Sequence, residues 1–153
     1  MTDNRHHITY LGLGSNLGDR NENLRRACEE IEKLIGHIVR QSAFIETEPW
    51  GFESANRFLN AVVCVETSLT PRQLLSHTQQ IERSLGKTAA HATERECAPL
   101  YHDRPVDIDI LLYDRLTVDE PDLQIPHPLM HQRDFVMKPL LEILPPAEAD
   151  VLF

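Results

Sequence analysis

Hydrophobic and polar positions follow two different periods along this chain. Alternating or continuous apolar runs of strand length cover residues 7–14, 37–46, 58–67 and 106–114, and helix-like periodicity covers 20–35 and the segment after Thr70. The run at 58–67 is almost entirely apolar after Asn60, which predicts a central strand. The order β-α-β-β-α-β predicts an α+β fold, a ferredoxin-like sandwich with an antiparallel sheet, helices on one face and extra C-terminal elements.

The sequence also carries signals for where the helices begin and end. The first helix is expected to follow an N-cap at Asp19 and to end with a C-cap at Gly36. The second is expected to follow an N-cap at Thr70 and to end at Gly86. A short helix is expected to start or bend at Pro139, run through Leu144 and end at the Pro145-Pro146 pair.

Two carboxylates stand out on the strand predicted at 106–114. Because strand side chains alternate, Asp107 and Asp109 point to the same side, about 7 Å apart. Paired carboxylates on a rigid strand are typical of a Mg²⁺ site that waters and substrate phosphates complete, and Arg104 lies where a polyphosphate would need a cation. The alternative is an edge strand with a solvated acidic face. The residues expected on the opposite, buried side are Ile108, Ile110 and Leu112.

Composition and charge narrow the classes of protein. The chain has 153 residues, 41% hydrophobic and 25% charged, which predicts a single domain over 1–153. A formal net charge of −9 argues against general binding to nucleic acid or to an anionic membrane. No apolar run approaches the ~20 residues that cross a bilayer, and no signal core follows Met1. The three cysteines, Cys28, Cys64 and Cys97, suggest neither disulfides nor zinc, so a cytoplasmic location is expected.

Polar residues beside the predicted core suggest a binding site. Phe58 and Asn60 share a face of the third strand, where the amide could read a planar heterocycle, although a buried phenylalanine is ordinarily core. Gln79 and Glu82 share a face of the second helix, where such a pair is often simply solvated. The polar segment 87–103 leads into the two aspartates, which favours an active-site lid.

The glycines after the first strand do not form a nucleotide-binding loop. Gly12 and Gly14 precede a turn, but no G-K-[ST] ending follows and Leu17 occupies the third glycine position of the dinucleotide fingerprint. Close strand packing with a tight turn is at least as good an interpretation as a direct phosphate contact.

Five motifs in this order resemble the 6-hydroxymethyl-7,8-dihydropterin pyrophosphokinases of the folate pathway, over about residues 8 to 147. They are Gly14-Ser15-Asn16-Leu17-Gly18-Asp19, Phe58-Leu59-Asn60-Ala61, Arg104-Pro105-Val106-Asp107-Ile108-Asp109-Ile110-Leu111, Ile125-Pro126-His127-Pro128-Leu129-Met130 and Arg133-Asp134-Phe135-Val136. The resemblance implies transfer of pyrophosphate from ATP to the pterin hydroxymethyl group, with release of AMP.

The resemblance also implies roles for individual residues. It assigns two Mg²⁺ ions to Asp107 and Asp109, which with Arg104 form the catalytic set. The ATP site would comprise Gln79, Glu82, Lys87, Tyr101, Arg104, Ile110, His127 and Arg133, and the pterin site Thr47, Glu48, Trp50, Phe58, Asn60 and Phe135. Small molecules would be the only partners, and a monomer is expected.

The chain departs from better-known members at several positions of the nucleotide site. Lys87 stands where arginine is frequent, Tyr101 where tryptophan is common, Asp122 and Gln124 where a basic residue and a threonine can contact the nucleotide, and Pro128 where a tyrosine can follow the histidine. Two other functions stay open from the residues alone. One is a different Mg²⁺-dependent nucleotide enzyme, such as a nucleotidyltransferase, and the other is a module that binds a pterin or a protein without catalysis.

Overall fold

A computed structural model describes residues 6–47, 57–89 and 105–152. The predictions for Glu48, Trp50, Tyr101 and Arg104, for the side chain of Lys87 and for a lid beyond residue 89 lie outside the described residues.

The described chain is an α+β fold with an antiparallel sheet. Its elements are β1 (His7–Ser15), α1 (Arg20–Leu34), β2 (Gly36–Gln41), β3 (Ile45–Thr47), β4 (Phe58–Thr67), α2 (Pro71–Ala89), β5 (Asp107–Tyr113), β6 (Val118–Glu120), β7 (Leu123–Ile125), a 3₁₀ turn (Met130–Gln132), α3 (Asp134–Ile143) and α4 (Pro146–Leu152). The strand order is β2-β4-β1-β5, β3 extends the pairing of β4, and β6 and β7 form a separate hairpin. Every pair is antiparallel.

The sheet separates two hydrophobic clusters, because alternate residues of each strand face opposite sides. Leu11 and Val63 lie in the cluster that α1 and α2 cover. Tyr10 and Val62, their neighbours in sequence, lie in the second cluster, with Leu140 of α3. The helices predicted for one face are therefore α1 and α2, and α3 covers the opposite face.

The helix N-termini follow the sequence signals. The Asp19 carboxylate accepts a hydrogen bond from the backbone N–H of Glu22 at 3.1 Å. Thr70 and Gln73 bond reciprocally, at 3.2 Å and 2.9 Å between each side chain and the other backbone N–H. These bonds satisfy N–H groups that have no partner within the helix.

The predicted glycine stops at Gly36 and Gly86 are both wrong. α1 is capped by Ile35 in the right-handed helical region, and Gly36 is the first residue of β2. A Cβ at Gly36 would overlap the backbone carbonyl oxygen of Glu66, so this glycine is required by close strand packing. Gly86 lies inside α2, which continues beyond it to Ala89.

The second predicted strand, 37–46, is two strands. β2 ends at Gln41 and β3 begins at Ile45. Between them the Ser42 backbone N–H donates to Val62 O, and the Ser42 hydroxyl accepts from Val62 N–H, both at 2.9 Å. The Ser42 hydroxyl oxygen thus takes the place of a backbone carbonyl of the neighbouring strand. The chain can bend here because the Val62 N–H still has a hydrogen-bond partner.

The C-terminal helix ends beside Pro145 as predicted, with Leu144 as its C-cap, but it does not start at Pro139. α3 begins at Asp134, five residues before Pro139, and ends at Ile143. Pro146 begins α4, a first-turn position at which the missing N–H of proline has no helical partner to lose.

β5 contains a bulge that changes the face of its last residues. Ile110 pairs with Leu11 and Leu112 pairs with Tyr10, so Leu111 is the extra residue. Ile108 and Ile110 face α1 and α2 as predicted, but Leu112 lies with Leu111 in the cluster on the α3 side. The prediction for Leu112 is therefore wrong, because simple alternation ends at the bulge.

Candidate active site

A cavity of about 540 Å³ opens on the α3 side of the sheet and extends around the free edge of β5. Because the strand order is β4-β1-β5, the cavity passes from β4, across β1, to β5 and then to α2 and the β6–β7 hairpin. The predicted site residues that line it are Thr47, Phe58, Asn60, Gln79, Glu82, Asp107, Asp109, His127, Arg133 and Phe135.

The β4 end of the cavity combines aromatic and amide groups. Asn60 is buried at 5% exposure, and its Nδ2 donates to Thr47 Oγ1 at 2.6 Å. β3 makes this contact possible, because it pairs with β4 so that Thr47 lies opposite Phe58. Phe135, at the start of α3, contributes to the same cavity wall. This end can therefore enclose a flat ring and offer hydrogen bonds at its edge.

Gly12 and Gly14 form the β1 part of the cavity wall. A Cβ on Gly14 would lie 3.1 Å from Asn60 Oδ1 and 3.4 Å from Phe58 Cδ1, whereas a Cβ on Gly12 would meet only Leu111 side-chain atoms at 3.5–3.6 Å. The close approach at Gly14 supports the packing interpretation of these glycines.

Asp107 and Asp109 lie half-buried in the middle of the cavity. They are opposite Gly14 and Gly12 in the β1–β5 pairing, so no side chain from β1 covers them. Asp109 Oδ2 is 4.0 Å from Nη1 of Arg133. Arg133 is itself buried at 7% exposure and lies over the Phe135 ring, 5.6 Å from its centroid. The structure thus places two carboxylates and a buried guanidinium together.

His127 is held as a neutral ring. Its backbone N–H donates to Leu111 O at 3.0 Å, and its Nδ1 lies 3.3 Å from the backbone N of Leu129. Since a backbone N–H can only donate, Nδ1 accepts and the ring proton lies on Nε2. Burial lowers the pKa of His127, the Arg133 cation lowers it further, and Asp107 opposes both effects.

α2 contributes Gln79 and Glu82 from beyond the free edge of β5. A carboxylate oxygen of Glu82 accepts the backbone N–H of Ile108 at 2.7 Å, and Gln79 is exposed. Ile110, also predicted for the ATP site, has its side chain in the core on the α1 and α2 side, because it alternates with Asp109. The structure does not bring the Ile110 side chain into the cavity.

Sequence reasoning missed some of the residues that line the cavity, namely Leu75, Thr78, Leu129 and Val136. It also missed Arg72, whose Nη1 is 2.8 Å from Asp122 Oδ2 and which pairs with Glu120 as well. The hydrogen bond from Arg72 lowers the pKa of Asp122, which lines the cavity. This pair joins residues 50 positions apart, so no local sequence signal could have found it.

The carboxylate pair suits Mg²⁺ better than a transition metal. Within the ranges that the structure describes, no group of three or more His, Cys, Asp or Glu side chains could hold a metal ion by itself. Two carboxylates that face an open cavity match a Mg²⁺ site in which waters and substrate phosphates supply the other ligands.

Comparison with known proteins decides the family. The model of the family described as 7,8-dihydro-6-hydroxymethylpterin-pyrophosphokinase (HPPK) matches residues 10–145. The chain belongs to this family. It is 50% identical over 139 residues to the 2-amino-4-hydroxy-6-hydroxymethyldihydropteridine pyrophosphokinase of Porphyromonas gingivalis, covering 90% of this chain and 91% of that protein. The enzyme of the same name from Bacillus subtilis is 40% identical, with coverage of 94% and 81%.

A solved structure gives the same fold. The wild-type HPPK-DHPS of Plasmodium falciparum, solved with pteroate, aligns with a TM-score of 0.67 at 18% identity, over 92% of this chain and 39% of that one.

No helix among the described residues is long and apolar enough to cross a membrane.

Family membership confirms the resemblance found in the sequence motifs. The activity is the transfer of pyrophosphate from ATP to 6-hydroxymethyl-7,8-dihydropterin in folate synthesis. ATP is therefore a co-substrate of this chain, and the pterin is the acceptor.

Proposed function

We propose that the cavity is the site of this transfer, with the pterin at the β4 end and ATP at the α2 end. The observation that carries the proposal is the position of Asp107 and Asp109, which lie between these two ends in one cavity. A donor triphosphate and an acceptor hydroxyl that enter from opposite ends would meet above the carboxylate pair. Holding both reactants in line is a major part of catalysis in phosphoryl transfer.

The pterin would lie between Phe58 and Phe135, with Asn60 reading its edge. The bond from Asn60 to Thr47 fixes the amide orientation, so Oδ1 is presented as an acceptor for ring N–H groups. Glu48 and Trp50 complete the proposed pterin set.

Asp107 and Asp109 would hold two Mg²⁺ ions, whose chemistry when bound is to neutralise the triphosphate and align its β-phosphorus with the acceptor hydroxyl. The buried Arg133 cation, 4.0 Å from Asp109, would add positive charge for the triphosphate beside the metal site. His127 offers a fixed Nε2–H donor to a phosphate oxygen. Gln79, Glu82, Lys87, Tyr101 and Arg104 complete the proposed nucleotide side, with Ile110 contributing through its backbone.

The transfer forms a new P–O bond and breaks an existing one. The pterin hydroxyl oxygen bonds to the β-phosphorus of ATP, the bond from that phosphorus to the oxygen that bridges it to the α-phosphorus breaks, and the hydroxyl proton is released to water. AMP leaves, and the pterin carries the pyrophosphoryl group.

We also propose an architecture and a setting for the whole chain. The strand order β2-β4-β1-β5, with α1 and α2 on one face, supports a ferredoxin-like sandwich for the single domain 1–153. The acidic net charge supports a monomer that binds neither nucleic acid nor anionic membranes, and the three unpatterned cysteines support a cytoplasmic location.

Measuring AMP release from ATP, with and without the pterin, tests the proposed site. Asp107→Asn and Asp109→Asn should each lower AMP release by about a hundredfold or more, because a charge clamp on the transferring group is lost. Asp119→Asn is the matched control, since Asp119 is an exposed aspartate of β6, and it should keep wild-type activity. Near-normal transfer by either cavity variant would contradict the assignment. Release of inorganic pyrophosphate instead of AMP would indicate a nucleotidyltransferase, and no product at all a binding module.

A further inference from the structure

Among the strands that the structure describes, β5 is the last of the sheet, so one of its edges has no neighbouring strand there. The backbone N–H and C=O groups on this edge need other partners, and here α2 and the segment after β7 supply two of them. Glu82 accepts the N–H of Ile108 at 2.7 Å, and the backbone N–H of His127 donates to the carbonyl of Leu111 at 3.0 Å. Asp109 lies between these two attachment points.

The Glu82 bond acts at the centre of the carboxylate pair. Ile108 separates Asp107 from Asp109, so a shift of the Ile108 backbone would move both carboxylates together. Glu82 is well placed to prevent that shift, because its neighbour Ile81 is fully buried and Leu85 is buried one turn later. A charged acceptor also makes a stronger hydrogen bond than a neutral one.

We propose that Glu82 is a positioning residue, which fixes the geometry of Asp107 and Asp109 by anchoring the Ile108 amide to α2. The inference rests on the proposed function of the aspartates and deepens it. A third carboxylate near Asp107 and Asp109 is electrostatically unfavourable for binding a triphosphate directly. Its bond to the strand between them explains its place on the proposed nucleotide side, where it holds the backbone that carries the two aspartates and does not contact the phosphates.

Two substitutions of Glu82 distinguish a positioning role from a direct contact with the ligand. Glu82→Gln removes the charge but keeps a side-chain oxygen that can accept the Ile108 N–H, whereas Glu82→Ala removes the acceptor. Positioning therefore predicts that Gln rescues what Ala loses. Direct contact of the carboxylate charge with ligand predicts that Gln fails as Ala does. Gln80→Ala is a matched control on the same helix, since Gln80 is exposed and does not line the cavity.

Two readouts test the proposal on the full chain. The first is amide hydrogen exchange at Ile108 in the ligand-free protein, measured by NMR. Exchange should become about tenfold faster in Glu82→Ala and stay within about twofold of wild type in Glu82→Gln and Gln80→Ala. The second is binding of Mn²⁺ with a non-hydrolysable ATP analogue, measured by electron paramagnetic resonance. Its apparent affinity should fall about fivefold or more in Glu82→Ala alone.

Two results would overturn the proposal. One is unchanged Ile108 exchange in Glu82→Ala, and the other is a loss of metal-nucleotide affinity in Glu82→Gln as large as in Glu82→Ala with the amide still protected. A failure of the proposed function is distinguishable, because it would appear as near-normal AMP release by Asp107→Asn or Asp109→Asn, whatever the Glu82 variants do.

Discussion

Gly14 occupies a position where a single methyl group would disturb the β4 end of the cavity, at which we propose that the pterin binds. Its two closest neighbours are Asn60 Oδ1 and a ring carbon of Phe58. Asn60 cannot move away easily, because it is buried and bonded to Thr47 at 2.6 Å. The close approach of the Gly14 backbone to Asn60 and Phe58 therefore helps to set the orientation of both side chains.

Gly14→Ala should therefore weaken pterin binding about tenfold, which corresponds to about 1.4 kcal/mol. The added methyl would push Asn60 and Phe58 out of their orientation, while ATP binding should change by less than about twofold. Calorimetric titration of each ligand measures both effects. Gly12→Ala is the control, because its Cβ would meet only Leu111 at ordinary van der Waals distances. Equal pterin affinity in both variants would contradict the prediction.

Strand alternation predicted which residues of the site share a face. It placed Asp107 with Asp109 and Phe58 with Asn60, and the structure has both pairs lining the cavity. Alternation could not predict that Arg133 is buried beside Asp109, since this depends on how α3 packs on the sheet. Contacts between distant parts of the chain have no local periodic signal.

At the scale of elements, two glycines that look alike in sequence have opposite structural roles. Both follow an apolar helical segment. Gly36 lies against the backbone of β4, where a Cβ would overlap the Glu66 carbonyl, whereas a Cβ on Gly86 would meet nothing within 4 Å in the part of the chain that the structure describes. Gly36 is therefore required by strand packing, whereas Gly86 only lowers the stability of the helix that contains it.

Substituting each glycine by alanine should change stability in opposite directions. Gly36→Ala should lower the free energy of unfolding by about 2–4 kcal/mol, because the backbone must move to remove the overlap. Gly86→Ala should raise it by about 0.5–1 kcal/mol, since alanine loses less backbone entropy in a helix. Urea unfolding of the two variants beside wild type gives both values. A stable Gly36→Ala protein would show that β2 and β4 can separate at little cost.

The order of the elements was predictable because apolar residues recur with one period in strands and another in helices. The helix starts at Asp19 and Thr70 were predictable because their capping bonds span only three residues. The helix ends were not, since a glycine signals a C-cap only where the chain turns left-handed, and neither Gly36 nor Gly86 does so. The break between β2 and β3 depends on Ser42 bonding to Val62, twenty residues away.

At the scale of the whole molecule, acid affects stability in two opposing ways. The net charge of −9 means that protonating carboxylates relieves repulsion across the folded protein. His127 acts in the other direction, because its pKa in the fold is below its ordinary value of 6.5. The unfolded chain therefore takes up this proton first as the pH falls, which favours unfolding from about pH 6.5 downward.

Replacing His127 by asparagine should remove that one contribution. Asn offers an oxygen that can accept the Leu129 N–H in place of Nδ1. Between about pH 7.5 and about pH 5.5 the unfolding free energy of His127→Asn should rise relative to that of wild type. Urea unfolding at both pH values measures the difference. Parallel pH curves for the two proteins would mean that His127 titrates alike in the folded and unfolded states.

The chemistry of the whole molecule was recognisable from motif order, although its cavity was not. Motifs that start near residues 14, 58, 104, 125 and 133 are far apart in sequence, and the sheet order brings together those that the structure describes. The resemblance predicted that the protein binds a pterin and ATP together. Only the fold shows that one cavity extends from β4, across β1, to β5 and α2, where we propose that the two ligands meet.

The bulge at Leu111 divides β5 into two parts with different tolerance to change. Before it, one face carries Asp107 and Asp109 into the cavity, and after it Leu112 turns to the same side but is buried under α3. In the first half, substitutions on the aspartate face should thus alter chemistry with little effect on folding, whereas Ile108 and Ile110 on the other face belong to the core. In the second half, Leu112 and Tyr113 are both buried, so substitutions there should alter folding whichever face they fall on.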